Sequence, residues 1–380
     1  MGLASPFATY VPIQVNHNIA LMPFWALAAL TAWLAFERGG VIAWASFGLA
    51  VGLGLWAKYA ILLLVAPLGI AFLAVPQWRR QLLTPGPWVA VCVTGIVIAP
   101  HVKDVLETGA TTIAFATRRM GVGHSGEIAA KFLLYCLLVQ VPIALIASAA
   151  VGRTSLVGAI VASFRCAGRR ELFVHTAAFG PVAVVLVATM CGVRSKYLWI
   201  TPFVLTFAIW WAHMARLIGA PDRQWRARAT FGAFALLFIV GYTSFRLLVP
   251  LLSIRPGYPE MDGPALARLA EEVWAKTQSG PIPYLVSLNI QRGRQAAGSI
   301  AFDLPYRVRV MENGSLLDSP WIDVADLKRK GALVVAPLGF QPGTRVQGVE
   351  VTDLVVVPRP VKYGMGNSTP IAFGIIRPGS

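Results

Sequence analysis

Charge is what this sequence has least of: 13% of its 380 residues are Asp, Glu, Lys or Arg, and only 17 are acidic. Hydrophobic residues make up 56% and mean hydropathy is +0.65. Those values exclude an ordinary soluble chain and place the protein among polytopic membrane proteins. Cysteine is scarce as well. Cys92, Cys136, Cys166 and Cys191 are the full set, three of them in apolar segments, so neither a disulfide framework nor a CxxC metal site is expected. No HExxH, P-loop, GxSxG or GxGxxG stands in a usable context. No compact carboxylate cluster argues for a divalent cation, so no cofactor is expected. An internal repeat is also missing, which counts against a transporter built from pseudo-symmetric halves. Residues 1–18 lack the basic segment and apolar core of a signal peptide.

Long apolar runs are abundant instead. Candidate spans are Asn18–Phe36, Val41–Ala57, Tyr59–Val75, Pro87–Pro100, Ala129–Val151, Leu172–Gly192, Tyr197–Ala215 and Thr230–Leu252. The Pro87 segment is too short to cross alone, which leaves a re-entrant segment or a helix continuing past Pro100. Phe47–Ala74 would be one unbroken apolar run but for Lys58. A charge at mid-membrane costs about 2.5–3.5 kcal/mol on insertion scales. The less costly reading makes Lys58 a corner between two short helices, with its ammonium near the interface.

Residues 1–252 hold 19 Lys and Arg against 6 Asp and Glu, whereas residues 253–380 hold 14 against 11. A basic membrane part reflects positive cytoplasmic loops better than nucleic-acid binding. One side collects Arg38, Arg79, Arg80, Arg153, Arg165, Arg169, Arg170, Arg216, Arg223, Arg226 and Arg228. The other collects only Lys58, Lys103, Arg118, Arg119, Arg194 and Lys196 before the tail. The first side is therefore read as cytoplasmic, and the tail as periplasmic in a bacterial inner membrane. The N-terminus falls outside too, without a leader helix, which leads to the expectation that upstream helices are missing from this chain.

The tail changes character. Asp262-Gly263-Pro264 starts a helix with a stripe at Leu266, Leu269, Val273 and Trp274. Strand-like runs follow at Tyr284–Leu288, Arg307–Met311, Ala332–Ala336, Val349–Val357 and Ile371–Ile376. Asp323 can cap a short helix that Gly331 ends. The expected organisation is a helical membrane domain over 1–252 and a small α/β extramembrane domain over 253–380.

Lys58, Arg194 and Lys196 all fall at helix ends on the side that positive residues normally avoid. Snorkelling to headgroups explains any one of them about as well as function does. Together they suit a phosphate or pyrophosphate headgroup, because charge-assisted bonds strengthen where water is sparse. Asn16, His17 and Asn18 open the first span: in the plainer reading Asn18 caps the helix and His17 sits at the interface, in the other they bond a sugar or phosphate. Tyr59, Arg118 and Arg119 are the further candidates for a cavity wall. The segment from His101 to Lys131 reads as an amphipathic surface helix. A general base would have to come from Asp104, Glu107, Glu127, His17, His101 or His124, with Asp104, Glu107 and His101 leading. His175 and His213 read as packed and satisfied. Trp56, Tyr59, Trp88, Tyr197 and Trp199 fit interfacial belts.

The run GLAVGLGLWAKYAILLL resembles the glycine- and leucine-rich lysine motif of membrane glycosyltransferases of family 39. These are relatives of dolichyl-phosphate-mannose protein mannosyltransferases and of bacterial lipid A aminoarabinose transferases. The resemblance continues through TPGPWVAVCVTGIVIAPHV, FGPVAVVLVATMCGVRSKYLWITPF, PIPYLVSLNIQ and SPWIDVADLKRKGALVV, roughly from Pro6 to Pro337. It implies a GT-C fold of about eight membrane segments here, with a periplasm-facing site. The donor would be a polyprenyl-phosphate-linked sugar and the acceptor a glycan, lipid or protein. By this resemblance Lys58 binds the donor phosphate, with Arg194 and Lys196 as helpers. The family's catalytic aspartate lies in a first external loop for which this sequence has no counterpart, so the base is expected outside this chain. The reading from another class is a non-catalytic membrane protein that binds or carries an anionic polyprenyl lipid.

Overall fold

The computed structural model describes residues 16–107, 125–151, 153–165, 168–215, 221–252, 262–288, 292–337, 343–358, 360 and 370–379. Two compact units result, Met1–Phe238 and Ile239–Ser380. The chain is an α-helical polytopic membrane protein with a small C-terminal α/β sheet domain.

The membrane unit opens with α1 (His17–Arg38), capped by the Asn16 side chain, which accepts from the Asn18 backbone N–H, and closed by Gly39 in the left-handed region. Next come α2 (Val41–Ala57), a 3-10 turn over Tyr59–Ile61, and α3 (Leu62–Ala74). After a break at Val75, α4 (Pro76–Arg79) and a 3-10 turn (Arg80–Leu83) bend away by 96°. Long helices α5 (Pro85–Glu107) and α6 (Ser125–Val151) are followed by α7 (Arg153–Arg165) and α8 (Arg169–Met190). A 3-10 turn at Tyr197–Ile200 leads into α9 (Phe203–Met214), and α10 (Pro221–Leu252) ends the series. Among the described residues five helices are long and apolar enough to cross a membrane, or six with the bent pair Tyr59–Ala74 and Pro76–Leu83 taken as one span. Val41–Ala57 and Phe203–Met214 are shorter apolar helices. All eight expected segments are thus helical, and the Pro87 segment resolves as a helix running past Pro100 to Glu107.

Packing explains the glycines around the lysine. Gly48 and Gly52, one turn apart on α2, face α5 directly. A Cβ on Gly48 would lie 2.4 Å from the Ala90 carbonyl oxygen, and one on Gly52 would lie 2.7 Å from Val97 Cβ. Gly86 of α5 is as tightly met by Trp44, at 2.3 Å. Thr94 Oγ1 donates to the Gly48 carbonyl across this seam, at 2.9 Å. Small residues at this spacing let helix backbones approach within a membrane, where packing supplies association that hydrophobicity cannot.

At the far end of α1, Phe36 is enclosed by Trp44, Phe72, Trp78 and Phe173, with ring centroids 4.9–5.8 Å away. Polar groups close that cluster. Trp78 Nε1 donates to Glu37 at 3.0 Å, Arg169 pairs with Glu37 at 3.7 Å, and Gln81 bridges the Phe36 carbonyl and Trp44 Nε1. At 1.5 Å per residue, the 22 residues of α1 separate this end from Asn18 by about 30 Å, the thickness of a bilayer core.

The second unit contains α11 (Gly263–Ala275), β1 (Tyr284–Ser287), α12 (Arg292–Asp303), β2 (Arg309–Met311), α13 (Val324–Lys330) and β3 (Ala332–Pro337). A small ribbon of β4 (Arg345–Val346) and β5 (Val349–Glu350) precedes β6 (Thr352–Val357) and β7 (Ile371–Ile376). The main sheet has the order β2-β1-β3-β7-β6, with β1 parallel to β2 and β3, and β7 antiparallel to β3 and β6. Helices α11 and α12 pack on one face through Leu266, Trp274, Ala297 and Ile300. On the other face Leu327 of α13 meets Tyr284, Val286 and Val334. Both faces are apolar, as expected for strands covered on two sides. The Asp323 cap and the Gly331 stop appear as expected from sequence, whereas α12 was not foreseen.

Replacing Gly48 by Val forces α2 and α5 apart, at a cost of about 1–3 kcal/mol for overpacking. Gly69, whose Cβ would meet nothing within 4 Å, tolerates Ala. Thermal unfolding in detergent should show a clear loss for Gly48→Val and none for Gly69→Ala; equal stability of the two would contradict this packing.

Candidate functional site at the Lys58 corner

Lys58 sits between α2 and the Tyr59–Ile61 turn with extended backbone, φ −172° and ψ 135°. Its N–H still closes α2 on the Gly54 carbonyl, and its own carbonyl accepts from Ile61 N–H. Gly54 makes this fold-back possible, since a Cβ there would come within 2.8 Å of Ile61 Cγ1. The glycine motif therefore places the lysine twice over, by seating α2 on α5 and by letting the corner close.

The side chain turns to α1. Lys58 Nζ donates to Asn18 Oδ1 at 2.5 Å, and Asn18 is only 3% exposed. The helix cap belongs to Asn16 and not to Asn18, correcting the plainer sequence reading. One residue in from the start, the Asn18 amide is left available for the ammonium. His17 is exposed at the helix start, and Asn16 is half-buried.

Among the described residues no carboxylate pairs with Lys58, whereas a second cation acts on it. Burial first, and the charge of Lys196 second, bring the Lys58 ammonium down to about 8 from its usual 10.5. Lys58 lies outside the membrane-spanning segments, in the corner between them. Lys196 and Arg194 occupy the extended stretch after α8 and are exposed. Lys196 is therefore the cation that acts electrostatically on Lys58. Between Arg194 and Lys196, Ser195 Oγ is buried without a hydrogen-bond partner, and so is Trp25 Nε1, two turns along α1 from Asn18. Trp25 packs against Phe203 in a tilted ring contact at 5.4 Å, which draws the start of α9 towards α1. Buried polar atoms without partners are rare enough in folded proteins to need an explanation. Sequence reasoning missed both; the only signal was the position of Ser195 between two candidate cations.

On the other side of the corner, the Tyr59 hydroxyl lies 2.5 Å from His101 Nε2. Trp56 packs against the same imidazole at 5.3 Å and donates its indole N–H to the Val97 carbonyl. His101 thus belongs to the Lys58 corner through Tyr59. Asp104 follows three residues on and is exposed. Glu107 is engaged by Lys103 at 3.7 Å, with both side chains mostly in solvent. His101–Glu107 continue α5 and residues 125–131 begin α6, which corrects the expected surface helix at both its ends. Glu127 is held by Lys131 within α6. Arg118, Arg119 and His124 lie outside the described residues.

A hollow of about 620 Å³ runs along α5, lined by Gly95, Ile98, Ala99, Val102 and Leu106 with Lys103 and Glu107. It is an apolar stripe of one helix and not part of the lysine corner. His175 and His213 are packed elsewhere. His175 Nδ1 accepts from Trp210 Nε1 at 2.8 Å while its Nε2 has no partner, and His213 lies 3.5 Å from Glu171. Among the described residues no three His, Cys, Asp or Glu side chains gather as a metal site would require.

Residues 1–103 match the family described as dolichyl-phosphate-mannose-protein mannosyltransferase. That region contains Asn18, Lys58, Tyr59 and His101; Arg194 and Lys196 fall beyond it. The chain is also 24% identical over 212 residues to the lipopolysaccharide core galacturonosyltransferase RgtA of Rhizobium johnstonii. Both comparisons point to membrane glycosyltransferases. The match covers 54% of this chain and 42% of that relative's length. No solved structure matches the chain.

Amine labelling read by mass spectrometry should show Lys58 turning reactive around pH 8, where its ammonium gives up its proton. Lys196→Gln removes one of the two causes of that depression, so the midpoint should move upward. A midpoint unaffected by Lys196→Gln would separate the two cations.

Proposed function

We propose that this chain carries the donor site of an integral-membrane glycosyltransferase, with Lys58 as the cation that holds the phosphate of a polyprenyl-phosphate-linked sugar. The observation that carries the reading is a pair of neighbouring cations, Lys58 and Lys196, in a corner whose only described partner for the Lys58 ammonium is a neutral amide. Two like charges drawn together raise one another's energy, and an anion between them removes that cost. Phosphate suits the site because each of its oxygens accepts charge-assisted bonds. Ser195 Oγ and Trp25 Nε1 supply further groups able to bond an entering headgroup. Arg194 is the outer cation of this arrangement.

In this reading the sugar passes to a glycan, lipid or protein acceptor on the non-cytoplasmic side, where the C-terminal unit also lies. His101 is the candidate base in this reading, supported by its contact with Tyr59, the residue that follows the lysine. That family members and a curated relative are glycosyltransferases supports the reaction class. That this relative is a lipopolysaccharide core galacturonosyltransferase favours an acceptor at the outer side of a bacterial membrane.

Lys58→Ala should weaken binding of a labelled polyprenyl-phosphate sugar at least about tenfold, the scale of a charge-assisted bond lost, with expression and insertion unchanged. Full retention of binding would remove the central claim. Because only the ammonium form binds, affinity for the same lipid should fall as pH rises through about 8. For sidedness, a periplasm-active reporter fused after Ser380 should be active; activity of a cytoplasm-only reporter would overturn the assignment.

A further inference from the structure

The C-terminal unit carries a surface that the donor site does not use. On the outer edge of the sheet, the guanidinium of Arg309 in β2 donates to the Tyr284 hydroxyl at 2.9 Å and lies 3.5 Å from Asp326. The same carboxylate accepts from Tyr284 at 2.7 Å, pairs with Lys330 at 2.9 Å and bonds Arg329. Asp326 is 11% exposed at its side chain, whereas its three cationic partners are about half exposed or more. The Tyr284 hydroxyl, then Lys330 and Arg329, hold the Asp326 carboxyl far below the ordinary range. Asp323 is the other acid acting on Arg309, and its carboxylate is spent on capping α13. Three largely exposed cations are therefore held in place on one carboxylate, and Lys328 is a further basic residue on α13.

An apolar edge adjoins them. Trp321 is 60% exposed and its indole N–H is tied to the Val310 carbonyl at 3.2 Å, which fixes it beside Arg309. Leu316 and Leu317, on the same connection between β2 and α13, are exposed too. The indole tie also satisfies a carbonyl of an edge strand, which is the plainer role; it does not account for the adjoining leucines or the held cations. An exposed indole and leucines flanked by Lys and Arg are the combination that enters the headgroup layer of a bilayer. Ten residues separate α10, an apolar helix, from α11, so docking needs only weak intrinsic affinity.

We propose that this edge, Arg309, Trp321, Arg329 and Lys330 with Leu316 and Leu317, docks on a membrane surface bearing anionic phospholipid headgroups. The indole and leucines insert at the level of the acyl boundary, and the cations pair with headgroup phosphates. The inference stands apart from the donor-site reading and survives its failure.

Hydrogen exchange read by mass spectrometry on the full chain in lipid nanodiscs tests it. Residues 309–330 should exchange several-fold more slowly in discs containing phosphatidylglycerol than in discs of phosphatidylcholine alone. That protection should disappear in Arg329→Gln/Lys330→Gln, which leaves Arg309 on Asp326, and in Trp321→Ser/Leu317→Ser. Removing two cations should lower the docked-to-free ratio about tenfold or more. Unchanged exchange of β1, β3 and β7 certifies that each variant is folded. Equal exchange in both kinds of disc, or protection that persists in both folded variants, overturns the proposal. Equal protection in phosphatidylcholine discs on adding a soluble acidic oligosaccharide also overturns it, and reassigns the edge to a glycan.

Discussion

How closely α2 can approach α5 decides where the chemistry of the membrane unit is placed. Gly48 and Gly52 on one helix and Gly86 on the other leave no room for a methyl group at the seam. Because lipid tails are as apolar as leucine, the pair is held by that close packing together with the Thr94 and Trp56 hydrogen bonds across it. Everything at the end of α2 inherits its position from this seam: the break at Lys58, the fold-back of Ile61 over Gly54, and the meeting of Tyr59 with His101 on α5. A looser seam would separate Tyr59 from His101 before it disturbed any helix.

The two ends of α1 are built on opposite electrostatic plans. At the Arg38 end, Glu37 accepts from Trp78 and pairs with Arg169, so a cation is answered by an anion. At the Asn18 end, the Lys58 ammonium meets a neutral amide, with Lys196 acting on it as a second cation. The first arrangement pairs opposite charges and anchors helices. The second sets like charges against each other, which is the feature the proposed donor site rests on. Such a contrast along one helix is hard to explain by stability alone, since even partial burial of a lysine without an acid costs free energy.

Much of the fold was legible because apolar runs, glycines and prolines report helix length and ends directly. Asp323 and Gly331 marked both ends of α13, and the strands after Tyr284 announced themselves by β-branched runs. Lys58 was legible as a corner because a charge at mid-helix is costly in lipid. What could not be read was partnership. Asn16 and Asn18 are chemically the same residue, and only the geometry of the first turn assigns the cap to one and the ammonium to the other. Trp25 and Ser195 carry no local signal, since what distinguishes them is an empty hydrogen-bonding position set by distant chain. Helix α12 was missed because Gly293 and Gly298 disfavour a helix and its first half offers no large apolar residue to mark a face, and its formation rests on packing Ala297 and Ile300 against the sheet.

The choice of an amide over a carboxylate beside Lys58 has a kinetic consequence. A carboxylate in the place of Asn18 would neutralise the ammonium, and an incoming anion would have to displace a charged competitor. An amide orients the ammonium through one hydrogen bond yet competes weakly for it, so under the proposed donor-site reading occupancy follows the concentration of the arriving anion. Under the same reading Lys196, an exposed residue whose charge already acts on Lys58, is the place where turnover could be tuned without altering the corner itself.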